Sequence, residues 1–462
     1  MLKIRRAPSP GALLLRPVPE GEAPHASGFQ GRWGEVLALS LGERWIGADG
    51  ASSAHEWERV GAACIAAAGE TRRVALDARG LSAQCAVGLA SGAALRAWRF
   101  ERLKSQRGRT SRRIELLVDD PALFATPWAR AEAALAGAGF ARELVAEPGN
   151  HLTPRAFTHR LRKLREEGIK VTVLGRGALR KLGAGGLLAV GQGSAHPPRL
   201  VILRWKGSFP APPVAFIGKG ICFDTGGISI KGAAGMEAMR ADMAGAAACA
   251  GAMLALARRR SPCPVVAVLA IAENATSAMS YRPGDVLRML NGQSVEVVDT
   301  DAEGRLVLAD ALHFAAKRFR PQALLDLATL TGSVVTALGH HRAGLFGNDA
   351  ALGAAATAAG EVVGERLWPL PIGEKHRSDL RSDIADIKQC MPGGQGPQPD
   401  ASHAAAFLRE FVGGLPWAHL DIAGVETAET PEALAAKDTP TGFGARLLDA
   451  LVERHFEDPH RV

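Results

Sequence analysis

Two acids stand two residues apart, Asp301 and Glu303, in the stretch Val297 to Leu312, VVDTDAEGRLVLADAL, and Arg305 follows them at once. Carboxylates in a Gly-containing corner before an apolar helix can cap it by accepting its free N–H groups. They can equally hold a divalent cation. A second stretch, Val214 to Lys231 (VAFIGKGICFDTGGISIK), places Lys219 and Asp224 in a run that otherwise reads as buried, and ends on Lys231. Buried charges must be paired or bound to metal, because a lone desolvated charge is very costly. A plain Lys219–Asp224 ion pair would meet that need. A further acid, Asp242, precedes the apolar run Met243 to Ala257, where by itself it reads as an N-cap. Taken together, Asp224, Asp242, Asp301 and Glu303 lie at strand ends or helix starts, with Lys219, Lys231 and Arg305 beside them. Hard oxygen ligands in that number suit one or two divalent cations such as Mn²⁺, Mg²⁺ or Zn²⁺. Two ions sharing a carboxylate can activate a bridging water and polarise a carbonyl or phosphoryl group. The residues thus indicate a binuclear metallohydrolase, without separating peptide from phosphate ester.

The elements that must position these groups alternate. Apolar patterning predicts strands over 170–174, 200–205, 214–218, 264–270, 294–298 and 323–327. Helices are predicted over 157–167, 178–182, 242–258 and 306–319. Val- and Leu-rich strands alternating with helices imply a largely parallel sheet covered on both faces. The fold class is therefore α/β, with a smaller N-terminal α/β domain over 1–130. A linker helix follows over 131–152, drawn from the Ala-rich stretch Pro127 to Pro148 that ends at Pro148-Gly149-Asn150. A C-terminal catalytic domain takes 153–462. In the first domain the pattern predicts helices over 62–68 and 81–97 and strands over 73–76 and 114–118, while 33–46 has no clear period.

The chain has 462 residues, 47% of them hydrophobic, which suffices for two sizeable cores. Six cysteines without CxxC spacing argue against a disulfide framework or zinc finger and for a reducing cytoplasm. Pro8, Pro10 and Gly11 spoil the N-terminus as a signal peptide. The run Met243 to Ala257 falls short of the ~20 residues of a membrane span. The formal charge is +8. Arg96, Arg99, Arg102, Lys104, Arg107, Arg109, Arg112 and Arg113 gather around Trp98 and Phe100. That segment is either a solvated hairpin turning at Gly108 or a nucleic-acid patch. His340, His341 and His403 lack a third ligand at metal spacing. Cys222, close to Asp224, reads as a small buried hydrophobe. The loop 390–399 is rich in Gly and Pro and can rim a site.

VVDTDAEGRLVLADAL resembles the signature of the leucyl aminopeptidase family, usually NTDAEGRL. The likeness extends to GKGICFDTGGISIK, to MRADMAGAAA around Asp242, to DLATLTGSVVTALG (326–339) and to WAHLDIAG (417–424). The resemblance implies a cytoplasmic metallo-aminopeptidase that forms homohexamers and removes Leu-like N-terminal residues from short peptides. It implies two divalent ions, Mn²⁺ or Zn²⁺. Lys219, Asp224, Asp242 and Glu303 would hold the tighter one. Asp224, Asp301, through its backbone carbonyl as well, and Glu303 would hold the exchangeable one. Lys219 can ligate only as the free amine, so its pKa would have to fall. Lys231 would stabilise the oxyanion, and Arg305 would seat a bicarbonate acting as general base toward the bridging water. Met239, Thr329, Leu330 and Gly332 would line the side-chain pocket. Asp299 departs from the usual Asn. Some members of the family also act in transcription or recombination, which keeps DNA binding as an alternative, alone or beside peptidase activity.

Overall fold

The computed structural model describes residues 2–22, 28–106, 112–393, 398–429 and 434–457. Of the basic segment, Arg107, Gly108 and Arg109 lie outside the described residues, as does part of the 390–399 loop. The chain divides into two compact units, Met1–Leu135 with Ala428–Thr441, and Ala136–Thr427 with Gly442–Val462.

The first unit carries β1 (Leu2–Arg5), β2 (Leu13–Val18), β3 (Val36–Ala38), β4 (Glu43–Gly47), α1 (Ala54–Ala67), β5 (Arg73–Asp77), α2 (Ala83–Ala97) and β6 (Arg113–Leu117). Its six-stranded sheet has the order β1-β6-β5-β2-β4-β3. Only the β3–β4 pair is antiparallel. The stretch 33–46, irregular in its pattern, proves to hold this short edge pair. Gly61, Gly88 and Gly92 let α1 and α2 approach so closely that a Cβ at any of them would strike the facing helix backbone. The cations of the basic segment are partly spent inside this unit. Arg112 donates to the Ile65 carbonyl at 2.6 Å and to the Gly69 carbonyl. Arg99 bonds the carbonyls of Arg96 and Trp98.

Helix α3 (Pro121–Ala146) starts six residues before the expected Pro127, which sits inside it. Pro121 opens the first turn, where a missing N–H costs nothing. Then come α4 (Pro154–Arg162), β7 (Lys170–Leu174), α5 (Arg176–Leu182), α6 (Gly185–Val190), β8 (Arg199–Trp205), β9 (Val214–Asp224), α7 (Ala244–Arg258), β10 (Val265–Asn274), β11 (Val286–Arg288), β12 (Ser294–Glu296), α8 (Glu303–Phe319), β13 (Ala323–Ala328), α9 (Gly332–Leu338), β14 (Ala343–Gly347), α10 (Ala350–Val363), β15 (Leu367–Pro369), α11 (Glu374–Asp379), β16 (Ile387–Lys388), α12 (Asp400–Arg409), β17 (Trp417–Asp421), β18 (Thr427–Ala428), β19 (Thr439–Pro440) and α13 (Ala445–Leu451).

The large sheet of the second unit has the order β15-β14-β17-β13-β9-β10-β8-β7. Its centre, β17-β13-β9-β10, is parallel, and antiparallel strands join on both flanks. Successive β9 residues feed opposite faces. Val214 and Phe216 join the core under α7, while Ala215 and Ile217 join the core under α8. Such two-sided burial explains why these strands read as continuous apolar runs. Gly218 and Gly245 let α7 lie directly on β9 and β13, because a Cβ on either would meet backbone atoms.

The connections place the chemistry. From β9 the chain crosses by α7 to β10 on one side, and later returns by α8 to β13 on the other. The carboxyl end of β9 is therefore a topological switch point, where a crevice opens between diverging connections. A small sheet, β11-β12-β16, brings the segment after β16 beside the corner before α8.

Candidate metal centre

Strand β9 runs six residues beyond the predicted 214–218. It thereby carries Lys219 mid-strand and Asp224 at its end, both buried. The expected Lys219–Asp224 pair is not the one formed. Lys219 Nζ lies 2.7 Å from Asp242 Oδ1 and 2.9 Å from Glu303 Oε1. It also donates to the Thr329 carbonyl at 2.9 Å. Lys231 Nζ takes Asp224 instead, 2.9 Å from Oδ2, and pairs with Asp301 as well. Four acids and two lysines thus form two adjoining knots.

None of the acids serves as the helix cap their positions suggested. The N-cap of α8 is Ala302, with no side-chain cap bond, and Glu303 turns to Lys219. Asp242 likewise leaves the N-cap of α7 to Met243 and accepts from Lys219 and from Thr329 Oγ1 at 2.7 Å. Gly304 makes the first knot possible, since a Cβ there would lie 2.6 Å from Lys219 Cε.

The loop around Asp299 is built by residues that patterning did not single out. Asp299 Oδ1 accepts the Asp301 N–H at 2.9 Å, a turn an Asn oxygen would make equally well. Gln389, fully buried, donates to the Asp299 carbonyl at 2.8 Å and the Ala302 carbonyl at 3.1 Å, and accepts from Val298 N–H. Asn274 Nδ2, at the end of β10, bridges Asp224 Oδ1 at 2.8 Å and the Thr300 carbonyl at 3.0 Å. Tyr281 donates to that same carbonyl. Asp421, at the end of β17, accepts from Leu330 N–H and from Thr331 Oγ1, fixing the segment that follows β13. A polar residue closing an apolar strand is the only signal by which Asn274 and Asp421 could have been found; Gln389 offers none.

Burial drives the electrostatics. It pushes Glu303 up to about 8, with Asp224 adding and Lys219 opposing. Asp242 rises to about 7, through burial first, against the pull of Lys219. Asp301 rises to about 6, through burial first, against its bond from Lys231. Burial works against the Lys219 ammonium, yet Asp242, Glu303 and Asp224 together hold its pKa above the ordinary value. The lysine that must lose its proton to ligate is therefore held protonated by its acids, until another positive charge relieves them.

The residues fit divalent ions. Ligand oxygens of Asp224, Asp242 and Glu303 all lie within 4.8 Å of one another. Among the described residues, Glu303 Oε2 and Asp242 Oδ2 are buried without a hydrogen-bond partner. Buried polar atoms are rarely left so in native proteins unless an ion or water completes them. Four carboxylates against two ammonium groups also leave negative charge unbalanced.

Arg305 is buried and already engaged. Its Nη1 donates to the Gln389 carbonyl at 3.1 Å and its Nη2 to Asp400 Oδ1 at 2.9 Å. Among the described residues Nε is buried without a partner. Bicarbonate therefore fits poorly here: although only two of the five guanidinium N–H groups hold these acceptors, a second anion would crowd the Asp400 charge. Of the expected pocket residues, Thr329 and Leu330 directly follow β13, Gly332 opens α9, and Met239 lies on a short 3₁₀ turn at 236–241. His403 is buried against Asp379, and His340 meets the Gly424 carbonyl. Cys222 is buried, and burial raises its thiol pKa.

A covered parallel sheet whose switch point gathers these acids is the frame of a metal-dependent hydrolase. The catalytic-domain model of the cytosol aminopeptidase family matches residues 139–449. A probable cytosol aminopeptidase of Brucella anthropi is 42% identical over 424 residues, 89% of this chain and 84% of that one. One of Gluconobacter oxydans is 46% identical over 376 residues, 80% and 76% of the two chains. Among solved structures, the bottromycin maturation enzyme BotP in complex with Mn superposes with a TM-score of 0.86 at 36% identity, covering 95% of this chain and 98% of that one. The chain belongs to the cytosol aminopeptidase family, and is a metal-dependent hydrolase of the leucyl aminopeptidase type.

Proposed function

We propose that the chain removes Leu-like N-terminal residues from short peptides with two divalent ions, Mn²⁺ or Zn²⁺, held at the switch point of the large sheet. The observation that carries this reading is the pair of buried, partnerless oxygens on Glu303 and Asp242. Lys219, Asp224, Asp242 and Glu303 would hold the tighter ion; Asp224, Asp301 and Glu303 would hold the second. When bound, the ions lower the pKa of the attacking water and polarise the scissile carbonyl. The chain's own groups do the rest. Lys231 is partly exposed beside Asp224 and Asp301 and stabilises the charge that develops on the carbonyl oxygen. Lys219 would hold an ion only as the free amine, so its proton would have to leave on binding. Met239 and Leu330 supply apolar surface, and Thr329 and Gly332 complete the pocket, which favours Leu-like side chains.

A homohexamer and a cytoplasmic location belong to the same proposal, supported by the family. Among the described residues no helix is long and apolar enough to cross a membrane. DNA binding gains no support, since Arg99 and Arg112 are bonded to backbone carbonyls.

The test is hydrolysis of a panel of aminoacyl amides by metal-free protein, with Mn²⁺, Zn²⁺ or Co²⁺ returned singly. Turnover only with metal, fastest on Leu-like amides, is expected. Full activity without metal refutes the mechanism, and a flat panel refutes the preference.

A further inference from the structure

The anion at Arg305 comes from the chain itself. Asp400 is 95 residues beyond Arg305 and opens α12. Its place is fixed from a second side, because the Ala401 N–H donates to Ser333 Oγ at 2.8 Å. Ser333 follows Gly332 in α9, and the same segment carries the Thr329 carbonyl that receives Lys219. Asp400 is thus pinned between Arg305 and a segment that borders the acid cluster. Arg305 in turn lies two residues beyond Glu303 on α8. The Arg305 side chain is 3% exposed, whereas that of Asp400 is 39% exposed. One carboxylate oxygen, Oδ1, is bonded to the guanidinium, and the exposure of the side chain leaves the carboxylate open to solvent. A carboxylate held by one oxygen and open at the other is the form a general base requires. A charge-assisted bond to arginine also gives it a defined orientation.

We propose that Asp400 is the resident anion at Arg305 and the proton acceptor for the attacking water, so that this enzyme works without bicarbonate. The inference rests on the peptidase reading above. In the step, Asp400 takes a proton from water as the new O–C bond forms at the scissile carbonyl. The C–N bond then breaks, and the same proton passes to the departing amine. Asp400 ends ionised, and one water plus one peptide give a free amino acid and a shortened peptide.

The experiment compares the metal-loaded wild type with Asp400→Ala and Asp400→Asn, in carbonate-free buffer and with added bicarbonate. Wild-type turnover is expected to be indifferent to bicarbonate. Asp400→Ala should lose about 10²-fold in kcat, within the ~10²–10⁴-fold that a positioned base contributes, and recover much of it with bicarbonate. Asp400→Asn fills the same space and still accepts from Arg305, so it should lose as much and respond little. Binding of ¹³C-bicarbonate, followed by NMR line broadening, gives a second readout: none in wild type, specific binding in Asp400→Ala. Bicarbonate stimulation of wild type, or an Asp400→Asn variant as fast as wild type, overturns the proposal. So does a folded Asp400→Ala variant that is slow and neither binds nor answers to bicarbonate, which would confine Asp400 to positioning Arg305. An inactive wild type would instead sink the peptidase reading, while the binding comparison would still decide the seat at Arg305.

Discussion

The two lysine knots of the metal centre share Asp224 as neighbour but differ in how they are made. The Lys219 knot is set in a central strand and closed by two helix starts, and its side chains are almost wholly buried, 4% exposed for Lys219 and 1% for Glu303. The Lys231 knot hangs on the loop 225–231 and is far more open, 24% exposed for Lys231 and 33% for Asp301. Equal chemistry in unequal dielectric has unequal consequences. In the sealed knot, charge that is not matched is very costly. In the open knot, water can screen a mismatch, and ligands can come and go. On the proposed two-ion reading, the contrast would make one ion tight and the other exchangeable.

The largest expected effect follows from breaking the sealed knot at its shared acid. Glu303→Ala removes a carboxylate proposed to touch both ions. Turnover should fall by more than about 10³-fold, and metal content measured after dialysis should drop below two ions per chain. Retention of both ions with normal turnover would refute the placement of Glu303.

The lysines separate the knots next. Lys219→Met leaves Asp242 and Glu303 facing each other without a cation. The metal-free protein should lose about 3–5 kcal/mol of stability, read by denaturant unfolding. Lys231→Met should leave stability within about 1 kcal/mol, because a partly exposed pair contributes little. It should instead lower kcat by about 10²–10³-fold with a smaller change in KM, as loss of one oxyanion donor does. If both variants lose the same stability, the contrast in burial does not govern the site.

The sequence revealed the knots' members and concealed their partners. Lys219, Asp224, Asp242, Asp301 and Glu303 stood out because charge in an apolar run must be answered, and their strand and helix context was readable locally. Which lysine met which acid depended on β9 running on to Asp224, and the pattern had ended that strand at 218. Local rules also favoured caps at Asp242 and Glu303, and tertiary pairing overrode them. Asp400 and Gln389 sit 95 and 84 residues from Arg305 and were invisible, since α12 and the β16 strand reach the site only through the folded sheet. The Ala-rich α7 and the Gly contacts of α1 with α2 were legible as composition, though not as packing.

A second buried acid on α8 tests whether the lysines matter at all. Asp310 is as buried as Glu303, but its oxygens accept from the backbone N–H groups of Leu187 and Leu290, both at 2.9 Å. Burial, against these bonds, pushes it from the ordinary 3.8 up to about 7. A raised folded-state pKa means the folded protein holds the proton more tightly than the unfolded chain. The stability this provides is complete below about pH 4 and is lost as pH rises through about 7. A shift of about three units corresponds to at most about 4 kcal/mol. Asp310→Asn has no such titration. The stability of wild type relative to this variant should therefore decline steadily between about pH 4 and 7, measured as paired denaturant curves. Both proteins keep the same metal-site acids, so their titration cancels in the difference. Parallel curves would show that two backbone donors suffice to hold a buried carboxylate ionised, and the need for Lys219 beside Glu303 would then have to come from the metal rather than from burial.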